Sequence, residues 1–217
     1  MKKNKVWFYT LMFLPLIATC ISLMFLPDRI PAHYGFDGEV TRWGSKYETL
    51  ILPMVTIPFG FFLLLMGKLA SKKENTNNEE VLIITGIMAL LVFNILTGYF
   101  LYTSFNKVEK LTDVVIDIRN LLFSALGVVL IVIGNVMPKC KRNSIIGLRT
   151  KWSLSSDKAW EKSQRFGGAG LIIIGALMLI GNSIILKGNQ VLVFTGVLVF
   201  VDLVVSILYT YIVAKEG

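Results

Sequence analysis

The stretch from Asn143 to Gly168, NSIIGLRTKWSLSSDKAWEKSQRFGG, is the most polar and patterned part of a largely apolar chain. Together with its lead-in it holds Lys139, Lys141, Arg142, Arg149, Lys151, Lys158, Lys162 and Arg165. Its flanks decide the fold. Ile118 to Met137 on one side and Phe166 to Leu186 on the other are apolar runs. Each is about 20 residues long, which at about 1.5 Å per residue spans a hydrocarbon core of about 30 Å. A polar segment between two such runs reads as a loop joining two transmembrane helices.

Working outward, the same pattern repeats. Apolar runs occupy Val6 to Leu26, Leu50 to Ala70, Val81 to Ser104 and Val191 to Val213, with Pro15 a possible kink and Pro53 and Pro58 near the second entry. Of the 217 residues 54% are hydrophobic and 17% charged, against about 25% charged in soluble domains. The charges sit in clusters between the runs. The first run follows the basic start MKKNK and ends beyond Cys20; it is longer than the roughly 7–15 residues of a signal-peptide core. It is therefore expected to be a retained helix.

Six spans put both termini on one side. With that side inside, fifteen of the 22 Lys and Arg residues lie on inside segments and seven on outside ones, so the positive-inside rule makes both termini cytoplasmic. The expectation is an all-α integral membrane protein with six transmembrane helices, multi-pass in a cell membrane. Residues 1–80 form a two-span region with an extracytoplasmic loop at 27–48. Residues 81–217 form a four-span region with a cytoplasmic loop at 138–165. The net charge of +8 is then topological, and no direct nucleic-acid partner is expected. Cys20 and Cys140 should lie at different depths and remain unpaired.

The first loop, PDRIPAHYGFDGEVTRWGSK from Pro27 to Lys46, is rich in Gly and Pro and reads as turns. His33 with Asp28, Asp37 and Glu39 has no recognised metal-ligand spacing. Tyr34, Phe36 and Trp43 suit a bilayer interface, and a peptide-contacting surface around His33, Tyr34 and Trp43 stays open. In the long loop, Ser155 or Ser156 can cap a helix, with Asp157 in its first turn. Trp160, Gln164 and Gly167/Gly168 then share a face, and Trp152 and Trp160 would anchor the two ends of an interfacial segment. The basic residues suit an anionic inner leaflet, at about 1 kcal/mol each.

Inside the spans the polar residues singled out are Asp202, Asn182, Asn94 and Asn135. An acid at a helix centre costs about 2.5–3.5 kcal/mol on insertion scales, and the sixteen Val, Leu, Ile and Phe residues of the same span offset it. The structural reading gives Asp202 a hydrogen bond to Asn182 or Asn94; the functional one makes it a proton or ligand site. Gly127 and Gly134, and Gly168 and Gly175, recur every seven residues and read as close-packing faces. No nucleotide-binding glycine loop, Ser/His/Asp set or paired cysteines occur. No enzymatic activity, cofactor or resident metal is expected.

The run Gly134-Asn135-x-Met137-Pro138-Lys139, then Asn143-x-x-Ile146-Gly147-x-Arg149-Thr150-x-Trp152-x-Leu154-Ser155, then Trp160 and Arg165-x-Gly167-Gly168, resembles the signature of the SdpI family. Leu26-Pro27-x-x-Ile30-Pro31-x-His33, with Gly38 and Trp43-Gly44-Ser45-Lys46, is similar to a domain of unknown function found ahead of it. Lys151 stands where the family often has Pro, and Ser153 where it often has Thr. The resemblance implies immunity to a secreted toxin of the sporulation-delaying type. It also admits a role in holding a small cytoplasmic repressor at the membrane. Toxin or partner contacts would then fall to His33, Tyr34, Trp43, Asn143, Gly147, Arg149, Thr150, Trp152 and Trp160. Two alternatives are a membrane signal receptor without immunity and a small ion- or proton-coupled transporter.

Overall fold

The computed structural model describes residues 2–35, 37–74, 78–114, 117–143 and 146–215. Six helices are long and apolar enough to cross a membrane: α1 (Lys2–Ser22), α2 (Ile51–Glu74), α3 (Glu79–Phe105), α4 (Ile118–Val136), α5 (Asp157–Ile180) and α6 (Asn189–Lys215). Large apolar side chains face outward, such as Ile17 on α1, Phe62 on α2 and Val193 and Phe200 on α6. In water they would be an aggregation hazard; in a bilayer they are the lipid-facing belt.

Helix α3 packs against α1, α2 and α4, and α5 packs between α4 and α6. At one end of the bundle Lys5 pairs with Glu79 at 2.6 Å and Thr150 bonds Thr210 at 2.9 Å, bringing both terminal helices and the 138–156 loop together. At the other end Arg119 joins Asp117 and Asn189, so its guanidinium is held by protein groups as well as lying at the span's mouth.

Two helix pairs show how sequence sets packing. In α1, Pro15 has no N–H to give to the Leu11 carbonyl. Asn94 Nδ2 of α3 donates to that carbonyl at 2.8 Å, next to the Phe8, Met12, Ile83 and Leu90 core. Asn94→Leu should therefore cost about 1–2 kcal/mol, because it orphans a buried acceptor. In a Pro15→Ala background, where the new backbone N–H supplies the missing donor, the cost should shrink; a double-mutant cycle of thermal unfolding reads the difference. Between α4 and α5 the glycines meet reciprocally. A Cβ on Gly127 would lie 2.7 Å from the Gly175 carbonyl, and one on Gly168 would lie 2.6 Å from the Gly134 carbonyl. The seven-residue glycine repeats are thus a backbone-on-backbone seam.

The helix cap expected at Ser155 or Ser156 falls at Ser156, whose Oγ accepts from the Ala159 N–H at 3.1 Å, so α5 begins at Asp157, ahead of the apolar run that starts at Phe166. A turn of π-helix (Gly181–Ile185) then extends α5, with Asn120 Nδ2 meeting the Asn182 carbonyl inside the turn and the Leu186 carbonyl just past it. The first loop, read as turns, contains a hairpin of β1 (Arg29–Tyr34) and β2 (Val40–Ser45) with irregular register around His33. Gly and Pro are its punctuation rather than its fabric. Gly38 takes a positive φ of 82° in the turn, and the edge of β2 bonds a distant segment, Val40 N to Glu109 O at 3.0 Å.

Candidate functional site

The 138–156 loop is folded back over the end of the bundle and fastened by two side-chain amides. Asn78, just ahead of α3, accepts from Lys141 N at 3.0 Å and donates to Lys141 O at 3.1 Å. Gln164, on α5, accepts from Leu148 N at 2.9 Å and donates to Leu148 O at 3.0 Å. Each amide imitates a neighbouring β-strand and satisfies both backbone groups of one loop residue. Both are buried, Gln164 at 0% exposure.

Between these clamps the loop is built from its own polar side chains. Asn143 Oδ1 accepts from Ile146 N at 2.7 Å, and Nδ2 donates to Lys141 O at 2.8 Å. Thr150 and Ser153 cap each other: Thr150 N donates to Ser153 Oγ and Ser153 N to Thr150 Oγ1, both at 2.9 Å. Ser153 Oγ also donates to Leu148 O at 2.8 Å. The hydroxyl kept at position 153 is therefore structural. Gly147 has φ 106°, and a Cβ there would strike Gln164 Oε1 at 2.5 Å, so both conformation and space require glycine.

Trp160 departs from its expected place. It is 1% exposed, and its Nε1 donates to Cys140 O at 2.7 Å. It is the core of the loop, not an interfacial anchor, because the loop closes over the polar first turns of α5. Trp152 is half-buried, edge-on to Tyr211 of α6 with Lys151 over its face. Arg149 is exposed, and no hydrogen bond or ion pair holds it among the described residues. Of the predicted loop residues, Asn143, Gly147, Thr150 and Trp160 hold the structure together, and Arg149 is presented outward. Gln164, Asn78 and Ser153 are part of this assembly too. Gln164 was visible only as a polar residue one turn from Trp160, and Asn78 gave no signal within its polar linker.

At the opposite end the hairpin carries the other candidates. His33 Nδ1 lies 2.6 Å from Thr41 Oγ1, and Tyr34 OH donates to Val108 O at 2.8 Å. Trp43 is exposed. Phe36 lies outside the described residues. Ion pairs brace the hairpin: Arg42 grips Glu48 with two bonds, Lys46 pairs with Asp28 at 2.9 Å and Lys110 with Glu39 at 2.8 Å. The Arg42 hydrogen bonds hold the Glu48 carboxyl below its ordinary range, and the Lys46 bond does the same for Asp28. Carboxyls depressed in the folded state contribute fully above their ordinary range, about pH 4 to 4.5, and lose that contribution as pH falls through their lowered values. Amide exchange of Gly35 and Val40, corrected for intrinsic rate, should therefore quicken below the carboxylate range and hold steady at neutral pH. An unchanged protection factor on acidification would refute the bracing.

The intramembrane polar residues are scattered. Asn94 serves Pro15's helix, Asn182 Nδ2 bonds Thr195 at 3.2 Å, and Asn135 is exposed on α4. Asp202 bonds neither Asn94 nor Asn182. Its carboxyl rests against the α5 backbone at Gly170, where a Cβ would meet it. No group of three or more possible metal ligands occurs among the described residues.

Residues 139–210 match the SdpI/YfhL protein family, and residues 10–57 match a domain of unknown function, DUF1648. The first match covers the clamped loop with α5 and most of α6; the second covers the later part of α1, the hairpin and the start of α2. The immunity protein SdpI of Bacillus subtilis (strain 168) is 25% identical over 211 residues, 97% of this chain and 95% of that protein. No solved structure matches the chain. The chain is thus similar to the SdpI/YfhL family over residues 139–210 and to an immunity protein through nearly its whole length, and it is a multi-pass protein of the bacterial cell membrane.

Proposed function

We propose that this protein protects its cell from a secreted antimicrobial peptide or protein toxin of the sporulation-delaying type. The observation that carries the reading is the alignment with an immunity protein along nearly the whole chain, hairpin and clamped loop included. The excess of Lys and Arg at the loop end sets that end and both termini in the cytoplasm. The hairpin, with exposed Trp43 and His33 on its outer strands, then faces the arriving toxin. The reading assigns binding, not catalysis, to the chain.

The test is survival of a toxin-sensitive Gram-positive host that makes the protein, challenged with such a toxin, with membrane expression confirmed. Wild type should protect, and Trp43→Ala should protect less at equal expression. Absence of protection by well-expressed wild type would reject the proposal for that toxin. A second reading, sequestration of a small cytoplasmic repressor, is favoured by the exposed Arg149, Lys158 and Arg165, which no acid pairs among the described residues. Arg149→Ala should then release the repressor while leaving protection intact.

A further inference from the structure

On the α4–α5–α6 side, below the clamped loop, lies a cleft of about 330 Å³. Ile133 of α4, Ile174 of α5 and Val199 and Leu203 of α6 line it, and Gly147 and Leu148 form its roof. Val199 and Leu203 are exposed, so the cleft opens sideways toward lipid. Its volume is at the lower end of small-molecule sites, about 300–1,000 Å³. From Val199 to Ser206 it follows α6 for about 10 Å.

Two polar side chains interrupt these apolar walls, one helical turn apart on α6: Asp202 and Ser206. Ser206 is 2% exposed, and its hydroxyl has no hydrogen-bond partner. Asp202 has no hydrogen bond or ion pair among the described residues, and no Lys or Arg lines the cleft. In the roof, Gln164 already takes both backbone groups of Leu148. A carboxylate and a hydroxyl left unpaired away from water are costly, and a group with several donors and a positive charge would satisfy both.

We propose that this cleft is a binding site for a membrane-borne cationic amphiphile, a primary amine on a single alkyl chain. The ammonium would bond Asp202 and Ser206, and the chain would lie along Val199 and Ile174 and run out between α4 and α6 into lipid. A fatty acid would place like charges together. An alcohol would leave the Asp202 charge uncompensated. The site is separate from the hairpin, and the inference does not depend on the immunity reading.

The test uses the purified protein in nanodiscs and three photoreactive probes with the same diazirine-bearing dodecyl chain, ending in an amine, an alcohol or a carboxylic acid. Labelled peptides are mapped by mass spectrometry. The amine should label the Val199–Ser206 and Ile133 segments at least tenfold more than the alcohol or the acid. Asp202→Asn should reduce amine labelling to the alcohol's level. Val199→Trp, which fills the cleft and keeps the carboxyl, should also remove it and decides the matter if Asp202→Asn fails to fold. Equal labelling by all three probes, or amine labelling that survives Val199→Trp, would overturn the proposal.

Discussion

Trp160→Ala is expected to cost about 3–5 kcal/mol, the range for emptying a buried tryptophan site, whereas Arg149→Ala should fall within about 0.5 kcal/mol of wild type. The two residues lie in the same signature but in opposite environments. The indole is sealed under the loop and satisfies the Cys140 carbonyl; the guanidinium is exposed and touches no partner among the described residues. Trp160→Phe separates packing from hydrogen bonding. It keeps most of the ring volume and orphans one carbonyl, for about 1–3 kcal/mol. Gln164→Leu should be at least as severe as Trp160→Phe, since it strands both the N–H and the C=O of Leu148. Thermal unfolding of the purified protein, with tryptic cleavage after the exposed Lys151 as a local probe, would read the series. If Trp160→Ala were no less stable than Arg149→Ala, the loop would not be fastened in this way.

That contrast governs how function can be assigned. Loss of immunity or signalling in variants of Asn143, Gly147, Thr150 or Trp160 would pass through the loop's stability. Loss in Arg149→Ala would not. Removing the whole loop would also open the end of α5, whose first turns it covers, so such a deletion cannot separate signalling from immunity.

The six spans were readable because membrane crossing imposes length and hydrophobicity on every segment, and these are one-dimensional properties. The glycine seam was readable too, since a seven-residue repeat returns small residues to one helix face. The rest depends on partners far away in sequence. Asn78 reads as linker until Lys141 comes beside it, 63 positions later. The hairpin reads as turns because its pairing with Glu109 is non-local. Trp160 has the residue type of an interfacial anchor, and only the closure of the loop makes it a core residue. Asp202 suggested a partner at similar depth, but Asn94 and Asn182 are committed to α1 and Thr195.

Gly168→Val and Gly134→Val should be among the most damaging single substitutions within the spans. A Cβ at Gly134 would lie 2.5 Å from the Gly168 carbonyl, and one at Gly168 would lie 2.6 Å from the Gly134 carbonyl. The obstacle is backbone on both sides, so no side chain can rotate away and the helices must separate. Overpacking of this kind costs about 1–3 kcal/mol where side chains can adjust, and here the upper end or beyond is expected. Gly98→Ala and Gly196→Ala are the matched controls: a Cβ at either meets nothing within 4 Å. They should be neutral or stabilising by up to about 1 kcal/mol, the helix-propensity difference between Gly and Ala. Detergent-resistant yield and melting temperature would rank the four. The effect should reach the clamped loop as well. Gly168 sits one turn along α5 from Gln164, so prising α5 from α4 moves the amide that holds Leu148, and with it the roof of the cleft above Asp202. A Gly168 variant that melted like wild type would mean that the α4–α5 seam is not what sets the position of that roof.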